Sequence, residues 1–187
     1  MAVLSSAFGY AGMNMLMTSA PIAMVSHHHT YADAAFVIQW HALGMFAPSL
    51  ATGALIKRAG PTTIIRLGAL LMLACAAAAA LLGTGVSAFW VSMVLLGVGW
   101  NFLYVGGSTL LTGNYRASER AKAQALHDQT VFLSTAMSAL LSGWLLQQAG
   151  WQFLLGVTAA LAATVLLASI WLAESETKVP QFAKASE

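Results

Sequence analysis

Six apolar stretches, each about as long as a membrane-crossing helix needs to be, follow one another along this chain with only short connections between them. They run over about 2–26, 33–56, 63–83, 88–112, 119–147 and 151–173. No soluble domain hides that much apolar surface. Of the 187 residues, 59% are hydrophobic and 7% are Asp, Glu, Lys or Arg, against about 25% charged in an ordinary globular domain. One cysteine, Cys75, cannot form a disulfide within the chain. The net charge of +2 comes from groups confined to a few short stretches, so no basic face is available to follow a nucleic acid. The chain is therefore predicted to be an all-α integral membrane protein. Residues 1–173 form a bundle of six transmembrane helices, successive ones antiparallel because the connections are short, and 174–187 form a polar tail that frays.

The basic residues set the orientation. Lys57, Arg58 and Arg66 fall between and into helices two and three, Arg116, Arg120 and Lys122 between and into helices four and five, and Lys178 and Lys184 in the tail. The other three connections have none, which places them outside and both termini in the cytoplasm. The first helix has no basic residue ahead of it and exceeds the length of a signal-peptide core, so it is read as retained.

An internal repeat lies across this pattern. Gly53-Ala-Leu-Ile-Lys-Arg-Ala-Gly60 ends the second helix, and Gly143-Trp-Leu-Leu-Gln-Gln-Ala-Gly150 ends the fifth, with four of eight positions identical. The Lys-Arg pair of the first copy is Gln-Gln in the second, as expected of copies on opposite membrane faces. The chain reads as two inverted three-helix repeats, a pattern of secondary transporters.

Polar side chains at depth are expensive in lipid and mark interior or wet surfaces. Helices three and six hold almost none and are expected against lipid. The candidate cavity residues are Asn14 and Thr18 on helix one, with Pro21 on the same face, and Trp100, Asn101, Tyr104 and Ser108 on helix four. Asn101 and Tyr104 also suit interhelical hydrogen bonds. Thr130, Ser134, Ser138 and Ser142 form a small-residue stripe on helix five that permits close approach of a neighbour. His41 lies about 12 Å into helix two and is the candidate proton-coupling group, since imidazole titrates near neutral pH; a cross-helix hydrogen bond is the other role open to it. Trp40 beside it either stacks on an aromatic solute or packs. Asp33 opens helix two, where it can cap the helix or relay a proton. Asp128 lies deeper than a cap requires and can gate by pairing with Arg66 or Arg120. His27, His28 and His29 are consecutive and lack metal-ligand spacing; no metal and no cofactor is expected. Cys75 is read as packing.

Two segments carry a family likeness: Gly53–Arg66, and Tyr115-Arg-Ala-Ser-Glu-Arg-Ala-Lys-Ala-Gln-Ala-Leu126 running into Asp128. With the repeat, they resemble the C-terminal half of a major facilitator superfamily transporter, whose twelve helices form two six-helix bundles. Lys57 stands where the family's better-kept loop has an acidic residue, as in the more degenerate C-terminal copy. The resemblance implies that helices one and four line the cavity, two and five meet the other half, and three and six support from outside. It implies secondary active, proton-coupled transport of a small organic solute in the cell (inner) membrane. The solute is expected to be neutral or weakly polar, because no Arg or Lys lies mid-helix. It further implies a partner, either a missing N-terminal half or a second copy of the chain, toward which His41, Asp128 and the Ser/Thr stripe are expected to face. A non-transporting fragment or assembly subunit is the second reading. An intramembrane serine protease is remote: Gly106-Gly-Ser-Thr109 lacks a glycine after the serine, and helix six has no histidine. The chain is not expected to be an enzyme.

Overall fold

Glycine and proline decide where the helices stop. The computed structural model describes residues 1–113 and 115–178. Helix α1 spans Ala2–Ser26, α2 Tyr31–Phe46, α3 Ser49–Ala59, α4 Pro61–Leu81, α5 Val86–Thr112 and α6 Arg120–Lys178, with one 3₁₀ turn at Ala117–Glu119. The described residues contain no strand. Helix α2 opens with a capping box: Thr30 Oγ1 accepts from the Asp33 amide at 3.1 Å while Asp33 Oδ2 accepts from the Thr30 amide at 3.0 Å. Pro61 occupies the first turn of α4, where its missing N–H leaves no bond unmade.

Two helix boundaries differ from the sequence expectation. The single helix expected over 33–56 is α2 followed by α3, because Pro48 has no amide proton to bond the preceding turn and its ring crowds that turn's carbonyl. Conversely, helices five and six meet as the continuous α6, interrupted by non-helical Gly150 alone (φ 80°, ψ 175°). At 59 residues and about 1.5 Å per residue, α6 is nearly three times the thickness of a bilayer core, so it is treated as two limbs, 120–149 and 151–178. Helical backbone continues through Lys178, into the segment expected to fray; residues 179–187 of that tail lie outside the described residues.

Four helical stretches are long and apolar enough to cross a membrane: Tyr31–Ala59, Pro61–Leu81, Val86–Thr112 and Arg120–Ala173. Helix α1 is more polar, but it keeps Ser5, Ser6 and Ser19 fully buried, so part of that polarity is turned into the protein.

Contacts fix the helix directions. Ser5 and Ser6 on α1 lie by Gly107 on α5 and Gly9 lies by Leu103, so α1 and α5 are antiparallel. Ile65, Gly68 and Met72 on α4 meet Gly106, Leu103 and Gly99 on α5, again antiparallel. His41 and Met45 on α2 meet Gly97 and Asn101, hence α2 runs parallel to α5. Asn14 reaches Ser138 and Ser19 reaches Ser142, so α1 and the first limb of α6 are parallel. Arg66 against Ser169, with Met72 and Thr158 both beside Gly12, makes α4 antiparallel to the second limb.

The halves of this arrangement correspond. Gly60 and Gly150, ninety residues apart, are both left-handed breaks with φ of 81° and 80°, a conformation that glycine adopts without a Cβ penalty. Asn101 Nδ2 on α5 donates to the Met45 carbonyl on α2 at 2.8 Å, and Asn14 Nδ2 on α1 donates to the Thr135 carbonyl at 3.2 Å; the acceptors are also ninety residues apart. Gly99 admits Met72 as Gly12 admits Thr158.

One expected orientation is reversed in part. His41, Ser138 and Ser142 face inward: His41 is fully buried against α5, and Ser138 and Ser142 are 4% and 0% exposed against α1. The outer faces of α2, α3 and the first limb instead carry large apolar groups, among them Phe36, Leu43, Leu50, Phe132, Leu140 and Trp144. Lipid tails are as apolar as leucine, so nothing drives those groups inward, whereas a polar atom gains by finding a partner in the bundle.

Candidate functional site

Small residues bring α5 close to three neighbours at once. Gly99 and Gly106 meet α4, Gly107 meets α1 and Gly97 meets α2. Trp100 and Tyr104 lie roughly a third of a turn around α5 from the face toward α4. They carry the centre of an aromatic cluster. The Trp100 and Tyr104 rings are stacked at 5.4 Å and 4°. Tyr10 of α1 meets both edge-on, at 5.0 and 5.4 Å. Phe46, at the end of α2, adds an edge to Trp100 at 6.3 Å, and His127 of α6 lies 6.5 Å from Tyr104. Trp100 and His127 are buried, Tyr10 and Tyr104 are half-buried and Phe46 is exposed. Four elements thus build one cluster of rings with few fixed charges, in which Tyr10, Tyr104 and Phe46 retain exposed surface.

The expected cavity residues divide around this patch. Asn14 is half-buried one turn beyond Tyr10, with Nδ2 donating to Ser138 Oγ at 3.1 Å as well as to the Thr135 carbonyl. Thr18 is exposed and Ser108 half-buried. Asn101 is 1% exposed and fully engaged: besides Met45, its Nδ2 donates to Ser49 Oγ at 2.6 Å, and its Oδ1 accepts from Thr52 Oγ1 at 2.7 Å. Its amide ties α5 to α2 and α3. Trp100 and Tyr104 alone of the expected set join the ring cluster.

The charged candidates are placed as follows. His41 Nδ1 lies 2.7 Å from the Met93 carbonyl, which can only accept, so Nδ1 carries the proton; Nε2 has no partner. The Asp33 carboxylate accepts from the backbone and hydroxyl of Thr30 in the capping box. Asp128 pairs with neither arginine. Its Oδ1 lies 2.9 Å from His127 Nδ1 and 3.0 Å from Gln124 Nε2, while Arg66 donates to the Ser169 carbonyl at 2.7 Å and hydroxyl at 3.2 Å. Arg66 is thereby held by the second limb. Arg120 is exposed and forms no ion pair among the described residues. His29 Nε2 lies 2.6 Å from the Thr84 carbonyl, joining two connections at the same end of the bundle. No group of three metal-ligating side chains is placed to hold a metal ion among the described residues.

Sequence reasoning missed Tyr10, Phe46 and His127. Tyr10, Asn14 and Thr18 stand at successive i, i+4 positions on α1, a signal that could have found the first. Nothing local links Phe46 or His127 to Trp100.

Residues 2–187 match the family profile described as Major Facilitator Superfamily. The chain is 42% identical over 168 residues to the riboflavin transporter RfnT of Brucella anthropi, an alignment covering 88% of this chain and 42% of that protein. It is 34% identical over 160 residues to the MFS-type transporter YddS of Bacillus subtilis, covering 85% and 37%. The chain thus spans about two-fifths of the length of the curated relatives it matches.

Proposed function

The chain belongs to the major facilitator superfamily, and on that premise we propose that it is one half, the C-terminal one, of a secondary transporter that carries a small planar aromatic solute of the flavin kind across the cell (inner) membrane. The cluster of Tyr10, Trp100 and Tyr104 carries this reading. Three rings on the two helices that the family places at the cavity suit a stacked aromatic ring, and no Lys or Arg lies among them to select an anion. Likeness to a transporter named for riboflavin points to the same solute chemistry.

The bundle crosses the bilayer six times with both termini in the cytoplasm. Alternating helix directions and alternating basic connections both support this. In a Cys75→Ala background, a cysteine at Ser87 should react with an impermeant maleimide in intact cells, and one at Ser118 only after permeabilisation. Labelling of the Ser118 position from outside overturns the topology.

A second bundle, either an N-terminal half or a second copy, closes the half-exposed side of the ring cluster. His41 couples the movement to protons: it is buried mid-helix with one ring nitrogen unpartnered, so it can take up a proton once a path opens. Radiolabelled riboflavin uptake into an auxotrophic bacterium expressing the chain with its companion half tests these readings together. Uptake is expected, Trp100→Ala should lower it about tenfold or more, since stacking on one ring is worth about 1–3 kcal/mol, and His41→Gln should abolish accumulation while sparing exchange. Uptake no greater than in the empty strain, with the chain present in the membrane, overturns the substrate class. Undiminished accumulation by the His41 variant removes only the coupling role.

A further inference from the structure

Two buried polar atoms at the ring cluster have no partner inside the protein. They are Nε1 of Trp100, whose side chain is 5% exposed, and Nε2 of His127, which is fully buried. Folded proteins seldom leave such atoms unpaired. Both rings adjoin Tyr104, Trp100 at 5.4 Å and His127 at 6.5 Å, and Tyr104 is itself half-buried.

Trp100 sets the hydrogen-bonding sense of one atom, and the tautomer of the neutral His127 ring sets that of the other. An indole Nε1 can only donate. The Asp128 carboxylate, which can only accept, lies 2.9 Å from His127 Nδ1 and therefore places the imidazole proton on that nitrogen. His127 Nε2 in the neutral ring is then a lone-pair acceptor. Gln124 donates to the same carboxylate oxygen at 3.0 Å and keeps it in place. Around one tyrosine ring the protein holds one unmet donor and one unmet acceptor.

We propose that these two atoms are the polar contacts of the transported solute, and that the solute is a planar heteroaromatic ring with an imide or lactam edge. A ring carbonyl accepts from Trp100 Nε1 and the adjoining ring N–H donates to His127 Nε2, with Asp128 as a positioning residue that sets the imidazole tautomer. The proposal rests on the aromatic-solute reading above and narrows it: an aromatic hydrocarbon would leave both atoms unpaired, whereas the pyrimidinedione edge of riboflavin supplies the carbonyl and the N–H side by side.

The test compares riboflavin with 3-methylriboflavin, which keeps the ring system and loses the imide N–H. Binding to the chain assembled with its companion half in lipid nanodiscs is read by quenching of flavin fluorescence. Riboflavin should bind at least tenfold more tightly than its 3-methyl derivative. His127→Phe should weaken riboflavin at least tenfold and shrink the preference to less than threefold, with an unchanged thermal unfolding midpoint as the check on folding. Asp128→Ala, at a half-buried side chain, provides a second route should the phenylalanine variant not fold: freeing the tautomer should reduce the preference several-fold. Equal affinity for the two flavins overturns the imide contact and leaves the aromatic-solute reading standing. Binding of neither flavin by the folded, assembled pair of bundles overturns both.

Discussion

Replacing Gly97 by valine is expected to cost at least about 3 kcal/mol and to reduce the yield of monodisperse protein sharply. A Cβ at this position would stand 2.6 Å from the His41 carbonyl oxygen, 2.9 Å from the Met45 amide nitrogen and 3.0 Å from the Gly44 carbonyl carbon. All three are backbone atoms of α2, so no rotamer change can relieve the overlap. Overpacking against movable side chains typically costs about 1–3 kcal/mol; here α2 and α5 must separate, which also pulls His41 from Met93 and Asn101 from Met45. Gly143→Val is the control, since a Cβ there meets nothing within 4 Å. Unfolding in mixed micelles with increasing dodecyl sulfate would compare them. Equal stability of the two variants would mean that α2 and α5 are not in contact as described.

Asn101→Leu should have the next largest effect, about 2 kcal/mol. The substitution keeps the side chain's size and removes three interhelical bonds, to the Met45 carbonyl, Ser49 and Thr52. Such bonds average about 0.6 kcal/mol each between membrane helices. The corresponding Asn14→Leu removes two longer bonds at a half-buried position, to Thr135 and Ser138, and should cost about half as much. The same micelle titration measures both. A larger loss for Asn14→Leu would contradict the view that Asn101 is the tighter of the two repeat-related latches. This comparison also separates anchoring from transport, because Asn101 is enclosed by α2, α3 and α5 and has no free hydrogen-bonding atom for a solute.

Local chemistry alone determined the helical, membrane-embedded class and the correspondence of Gly60 with Gly150. A long uncharged run must be helical in lipid because its amides have no water to bond, and a glycine after Ala59 or Ala149 can take a positive φ whatever lies beside it. Pro48 acted as locally, although its break between α2 and α3 was not foreseen. Which face of each helix turns inward was a different matter. In water, apolar periodicity marks the buried side; within a bilayer the outside is as apolar as the core, so Leu50 and Leu140 carry no signal that they face outward. The polar residues carry that signal only through their partners. His41 points to Met93, Ser138 to Asn14 and Arg66 to Ser169, and in each pair the partner lies on another helix. The ring cluster depended on tertiary structure for the same reason: Tyr10, Phe46, Trp100 and His127 come from four helices, α2 and α1 meeting α5 at Gly97 and Gly107 and α6 joining through α1.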